Sequence, residues 1–223
     1  MPTALLDALH ARDIERLVKL LDASEDLNKV WRDEYDILRT PLSEAAGGVA
    51  SAASRDRKAE VEALLDAVVV LLRRGATVND KDERRTMSPL LTAVRHNQIA
   101  CARILLAAGA DPNICGDDAE TTLRDCAEFG HHEMARLLLR CGADVYLSGG
   151  YDGMNALGFA ASMLDVEMVR LFLAHGADPN VPDVDRETVF ERLTDFPIRS
   201  RPETPEKLER FREIRRLLGM PEP

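Results

Sequence analysis

His131-His132-Glu133-Met134 is the stretch of this 223-residue sequence that most resembles a metal centre. A zinc-hydrolase helix places two His four residues apart on one face with a Glu between them, whereas adjacent helical side chains diverge by about 100°. His131 and His132 therefore should not share an ion. No metal or cofactor is expected. Cys101, Cys115, Cys126 and Cys141 form no C-x-x-C pair, which suits reduced, mostly packed thiols in a reducing compartment and predicts no disulfide. Cys126 stands where a small inward residue belongs and is expected to be buried and inert, not a nucleophile. Gly149-Gly150-Tyr151-Asp152-Gly153 is glycine-rich, but no strand precedes it and no phosphate-binding helix signature follows it, so it reads as a hairpin. No nucleophile elbow, P-loop, dinucleotide fingerprint or kinase set occurs, and the chain is expected to be non-catalytic.

The elements that would hold these residues are helices. Hydrophobic residues make up 45% of the chain but aromatics only 4%, a balance that favours thin helical layers over a β-sandwich or a cofactor barrel. The fold class is read as all-α. A net charge of −10 would repel a phosphate backbone, so nucleic acid is not an expected partner. Met1–Lys19 is too charged for a secretory signal, and the apolar run 67–72 is far shorter than the roughly 20 residues of a membrane span. A soluble, cytoplasmic protein, monomeric when free, is expected. Only five of its 29 basic residues are Lys, a bias associated with GC-rich bacterial genomes.

Self-similarity organises the rest. Gly75-Ala76-Thr77, Gly109-Ala110-Asp111, Gly142-Ala143-Asp144 and Gly176-Ala177-Asp178 recur at steps of 34, 33 and 34 residues. Upstream of them stand Thr40-Pro41-Leu42, Ser88-Pro89-Leu90, Thr121-Thr122-Leu123 and Asn155-Ala156-Leu157, with Thr188-Val189-Phe190 after the last. Thr40, Ser88, Thr121 and Asn155 can each accept a bond from an orphan amide at a helix start, and Pro41 and Pro89 fit the first helical position because no donor is lost there. A short helix follows each cap, then a second helix with apolar residues at Ala100, Ile104 and Leu105 or at Met134, Leu137 and Leu138. Gly109, Gly142 and Gly176 stop it with a left-handed C-cap.

This order of Pro-capped start, small residues, Gly-His-type turn, Leu pair and Gly-Ala-Asp turn resembles the ankyrin repeat, most completely over Ser88 to Asn113. The resemblance implies an ankyrin-repeat solenoid of stacked helix–turn–helix units with outward hairpin loops, and a structural hydrogen-bonding role for His131 at the Gly-His turn. Its expected divisions within one domain, 1–223, are a capping repeat 1–39, a repeat 40–79, regular repeats 80–113, 114–146 and 147–180, and a C-terminal cap 181–223. Leu5, Leu9, Leu17, Leu20 and Leu21 supply the first buried stripe, and Leu208, Phe211, Ile214, Leu217 and Leu218 a closing helix. From Leu42 to Leu90 the spacing exceeds one repeat, and the excess falls in 47–58, whose small and polar residues read as an inserted flexible loop.

In such an architecture another protein is bound in the concave groove, between a floor of short helices and a row of hairpin tips. Tip positions are Tyr35, Arg39, Arg84, Arg85, Met87, Asp117, Asp118, Glu120, Tyr151, Asp152 and Met154. Floor positions are Arg95, His96, Glu128, Phe129, Ser162 and Met163. Phe129, Tyr151, Met154 and Met163 are large and apolar or aromatic where folding alone would leave polar residues, and they mark the expected binding centre. The expected function is that of a specific inhibitor or sequestering partner such as a bacterial immunity protein. The alternative is an adaptor that holds a client, with 47–58 as its second binding segment.

Overall fold

Four helices begin on the oxygens that the sequence supplies. The computed structural model describes residues 4–23, 26–28, 30–32, 38–79, 88–116, 119–150, 153–193 and 204–220. In it Thr40 Oγ1 accepts the Ser43 amide at 3.1 Å, Ser88 Oγ that of Leu91 at 3.4 Å, Thr121 Oγ1 that of Arg124 at 3.2 Å and Asn155 Oδ1 that of Gly158 at 2.8 Å. Each repeat also closes in one way. The amides of Ala76, Ala110, Ala143 and Ala177 donate to the carbonyls of Leu71, Leu105, Leu138 and Phe172, each at 3.0 Å. Such a bond spans five residues and needs the intervening residue in the left-handed region. Gly75, Gly109, Gly142 and Gly176 hold φ of +91°, +90°, +89° and +89° there.

Two compact units result, Met1–Ile114 and Cys115–Pro223. In the first, α1 (Ala4–Ala11), α3 (Pro41–Ser54) and α5 (Pro89–Arg95) pack in that order, and α2 (Ile14–Asp22), α4 (Lys58–Arg73) and α6 (Ile99–Ala107) back them in the same order. A two-residue antiparallel ribbon, β1 (Trp31–Arg32) with β2 (Leu38–Arg39), pairs Trp31 with Arg39. Leu5, Leu9, Leu17 and Leu21 are buried as the repeat pattern predicts, with Leu20 half-buried. In the second unit α7 (Thr122–Phe129) packs on α9 (Ala156–Ser162), and α8 (His132–Arg140) and α10 (Val166–Ala174) lie behind them. Residues 189–193 are helical, and α11 (Pro205–Leu217) covers α10 with Phe211, Ile214 and Leu218 buried. The architecture is all-α.

The reading of 47–58 as a flexible loop is corrected. Residues 47–54 continue α3 to Ser54, α4 starts at Lys58, and only 55–57 turn between them. The small residues are packing residues: Val49, Ala50 and Ala52 are buried, and a Cβ on Gly48 would stand 3.1 Å from the Leu64 side chain. Alanine is the strongest helix former, so an Ala-rich run extends a helix as long as a neighbour covers it. Here α4, at 16 residues, is long enough to cover a 14-residue α3. The buried face of the second helices also sits slightly off the expected one. In α6 it is Cys101, Ala102 and Leu105, with Ala100 exposed, and in α8 it is Met134, Ala135 and Leu138, with Leu137 half-buried.

Two stability measurements check this account. Val49→Pro, harmless in a loop, should lower the unfolding free energy by about 3 kcal/mol, because proline in a helix interior removes a hydrogen bond and clashes with the preceding turn. Urea denaturation of the variant reads this directly. Removing 206–223 should expose Leu171 and Phe172, now 9% and 0% exposed, and cost on the order of 3 kcal/mol or more. The truncated protein should then melt several degrees below the parent.

Candidate partner-binding surface

Structure first decides which predicted residues can be placed. Tyr35, Arg84, Arg85, Met87, Asp117, Asp118, Tyr151 and Asp152 lie outside the described residues. In the N-terminal unit Arg39 is half-buried on β2, Arg95 half-buried at the end of α5, and His96 exposed just beyond it. In the other unit Glu120 and Met154 are half-buried in hairpins whose ladders they help to close: the Glu120 carbonyl accepts from Gly116 at 2.9 Å and that of Met154 from Gly149 at 3.4 Å. Ser162 spends its hydroxyl on the Phe159 carbonyl at 2.7 Å. Phe129 and Met163, by contrast, stand 51% and 54% exposed. Leaving two such side chains in water is unfavourable by about 25 cal/mol per Å² of apolar surface, which a partner could recover.

These two residues share one cleft of about 550 Å³, opened by the ends of α7 and α9. Glu128, His132, Asp165 and Arg210 edge it. Arg210 comes from α11, so the C-terminal helix borders the cleft while leaving both apolar side chains exposed. Met154 does not line it. Both histidines have partners within this unit. His132 Nε2 bonds Asp165 Oδ2 at 2.8 Å, while Asp165 also caps α10 by accepting the Met168 amide at 3.0 Å. The His131 ring lies 5.6 Å from that of Phe129 and helps to fix its orientation. Among the described residues no group of three or more His, Cys, Asp or Glu is arranged to hold a metal.

The glycine-rich hairpin has a packing reason. A Cβ on Gly149 would come within 1.9 Å of the Ala119 carbonyl oxygen, and one on Gly150 within 2.9 Å of Arg124 Nε. Successive hairpins therefore touch through backbone. Arg124 itself was not foreseen: it is buried in α7, its guanidinium 4.4 Å from the centre of the Phe159 ring and 2.9 Å from Glu128. That stacking joins α7 to α9 through a cation over an aromatic face. Aligning the repeats would have exposed it, since Ser43, Leu91 and Gly158 occupy the same place after their caps and none is charged. No spacing rule points to Arg210.

Four repeats, those begun by Thr40, Ser88, Thr121 and Asn155, have a helix pair, cap and glycine closure, and a family model of ankyrin repeats matches residues 51–149 and 90–183. The chain belongs to the ankyrin-repeat family. An ankyrin repeat-containing protein of Treponema pallidum is 38% identical over 121 residues, which is 53% of this chain and 40% of that protein. The transient receptor potential channel pyrexia of Drosophila melanogaster is 36% identical over 107 residues, 48% of this chain and 11% of the channel. The chain thus spans less than half the length of both relatives. A solved ankyrin repeat domain from Acinetobacter baumannii AYE is similar over 96% of this chain and 95% of its own, with 26% identity and a TM-score of 0.70. The ankyrin repeat protein EF0377, at 21% identity and a TM-score of 0.70, shares the fold. Ankyrin repeats are generally protein-interaction modules, and no enzyme family is indicated.

The thiols divide into two pairs. Cys101 and Cys126 are fully buried, and burial raises both pKa values, that of Cys101 to about 12, with the neighbouring Asp125 charge adding to the effect at Cys126. Cys115 and Cys141 are exposed, against the expectation that most would be packed, because they fall in a hairpin and at a helix end and not on a buried face. A thiol-reactive dye should therefore label two cysteines in the native protein, Cys115 and Cys141, and all four only after denaturation. Mass spectrometry of the labelled peptides gives the count.

Proposed function

We propose that this ankyrin-repeat protein is a non-catalytic binding module that holds one protein partner at the Phe129 and Met163 cleft. The carrying observation is that pair of half-exposed apolar side chains within a single cleft whose rim is charged. Apolar anchors ringed by polar groups are the usual arrangement of an interaction centre, with the rim excluding water and setting encounter rate. The favoured role is inhibition or sequestration of the partner, as by a bacterial immunity protein, because the described residues offer surfaces and no reaction centre. Exposed Cys115 and Cys141 suit a reducing, cytoplasmic setting. No helix among the described residues is long and apolar enough to cross a membrane.

An adaptor role is the second reading. Its support is that Gly47, Gly48, Ser51 and Arg55, from the stretch first read as a loop, line a separate cleft in the N-terminal unit. One tight stoichiometric partner in a pull-down favours inhibition; two partners that bind together favour the adaptor. With the partner identified, Phe129→Ala and Met163→Ala should each cost about 2 kcal/mol of binding, roughly thirtyfold in Kd, and keep the parent melting temperature. Arg84→Ala and Asp117→Ala, at positions outside the described residues that the sequence assigns to hairpin tips, should change Kd by less than about fivefold. Titration calorimetry that ranks the four variants the other way would move the binding centre elsewhere.

A further inference from the structure

Phe129 and Met163 each stand eight residues after a helix cap, Thr121 and Asn155, so one position of two successive repeats supplies both exposed apolar side chains. The same position after Thr40 and Ser88 holds Gly48 and His96. Among these four repeats the apolar pair is peculiar to the C-terminal unit, and most of the charge lies there too. Residues 115–223 hold 21 acidic and 13 basic side chains, eight of the ten net negative charges of the chain. At the cleft the carboxylates have partners but are not saturated. Glu128 gives Oε2 to Arg124 at 2.9 Å, and Glu167 gives Oε1 to Arg136 at 2.6 Å. The second oxygen of each accepts no hydrogen bond from a described residue, and the two side chains are 40% and 58% exposed. Asp165 differs, since His132 and the Met168 amide engage both of its oxygens. Arg210, the lining guanidinium, is matched by Glu206 at 2.8 Å.

A carboxylate offers about four lone-pair sites, so Glu128 and Glu167 can each take a further donor without giving up the arginine that holds them. The field of the unit acts in the same direction. It attracts a cationic chain as it approaches and repels an anionic one, while the exposed apolar pair rewards side chains that can be buried. We propose that the partner segment filling this cleft is basic and amphipathic, with apolar side chains on Phe129 and Met163 and interleaved Lys or Arg donating to the second oxygens of Glu128 and Glu167. The inference rests on the reading of this cleft as the binding centre and adds the chemistry of what binds there.

Three fluorescein-labelled hexapeptides separate the contributions, followed by fluorescence anisotropy on the full chain at low salt: Leu-Lys-Leu-Lys-Leu-Lys, Leu-Glu-Leu-Glu-Leu-Glu and hexalysine. The leucine–lysine peptide should bind roughly tenfold more tightly than either of the others, and its affinity should fall as salt rises. Glu167→Gln and Glu128→Gln should each weaken it roughly threefold and tighten the leucine–glutamate peptide, a reversal that loss of structure cannot produce. Glu167 is the more exposed of the two, so its variant decides the matter if Glu128→Gln lowers the melting temperature by stranding Arg124. Phe129→Ala should weaken both leucine peptides roughly tenfold. Leucine–lysine binding that ignores both Phe129→Ala and Met163→Ala overturns the cleft as the binding centre, and this inference with it. Binding that needs Phe129 but is equal for the two leucine peptides, or is unmoved by a folded Glu167→Gln, overturns the basic character alone. A leucine–lysine peptide that fails to bind, or that hexalysine matches, overturns the proposal as well.

Discussion

The structure depends on one hydrogen bond made four times, from the amide of an alanine back to a carbonyl five residues earlier across a left-handed glycine. The acceptor residues, Leu71, Leu105, Leu138 and Phe172, are each 0% exposed, so the bond ties the helix end to a fully buried side chain. Closing the helix there turns the chain out at a fixed angle. The following residues are then held by side chains: Asp111, Asp144 and Asp178 each accept the amide two residues on, at 2.9 Å. Neighbouring repeats are joined at the same place, through Asn79 to the Gly109 carbonyl at 2.8 Å and Tyr146 to that of Gly176 at 2.6 Å. Any side chain at the glycine would strain this geometry, and hairpins, helix starts and clefts would lose their reference point.

Surface charge contributes mainly to register. Arg136 with Glu167 at 2.6 Å and Arg170 with Glu213 link successive outer helices, but exposed pairs of this kind are worth at most about 1 kcal/mol each. A partly enclosed network holds the hairpin at 183–187, where Arg192 meets Asp183 at 2.7 Å and both Asp185 and Glu187 at 2.9 Å. Burial there disfavours the guanidinium charge, yet the hydrogen bonds to Asp183 and Asp185 more than compensate and hold its pKa above the usual value. The effect is to fix a hairpin tip whose Val184 amide reaches the Gly153 carbonyl at 3.3 Å.

Local chemistry made the caps and the glycine stops legible in the sequence, because each depends on one residue type at one place: Thr40, Ser88, Thr121 and Asn155 cap as read. What could not be read was set by neighbours distant in sequence. Gly47 to Ser54 looks like a loop until α4 is laid against it, since small residues are compatible with both a turn and a tight helix contact. Arg124 looks like a surface residue until Phe159 and Gly150 close over it. Of the expected binding centre, Phe129 and Met163 meet in one cleft because both end a first helix, whereas Met154 belongs to a hairpin and lies apart. No periodicity in the sequence encodes the place of Arg210 at that cleft.

The long α3 and α4 pair has a further consequence. Repeat surfaces are nearly periodic, so a ligand that fits one repeat can in principle fit the next, displaced by one step. In the N-terminal unit that translational ambiguity is broken: α3 has 14 residues between neighbours of eight and seven, an excess of about 10 Å at 1.5 Å per residue. The overhang acts as an index mark on an otherwise uniform ruler: a chain bound there would have one frame and one direction in which to lie.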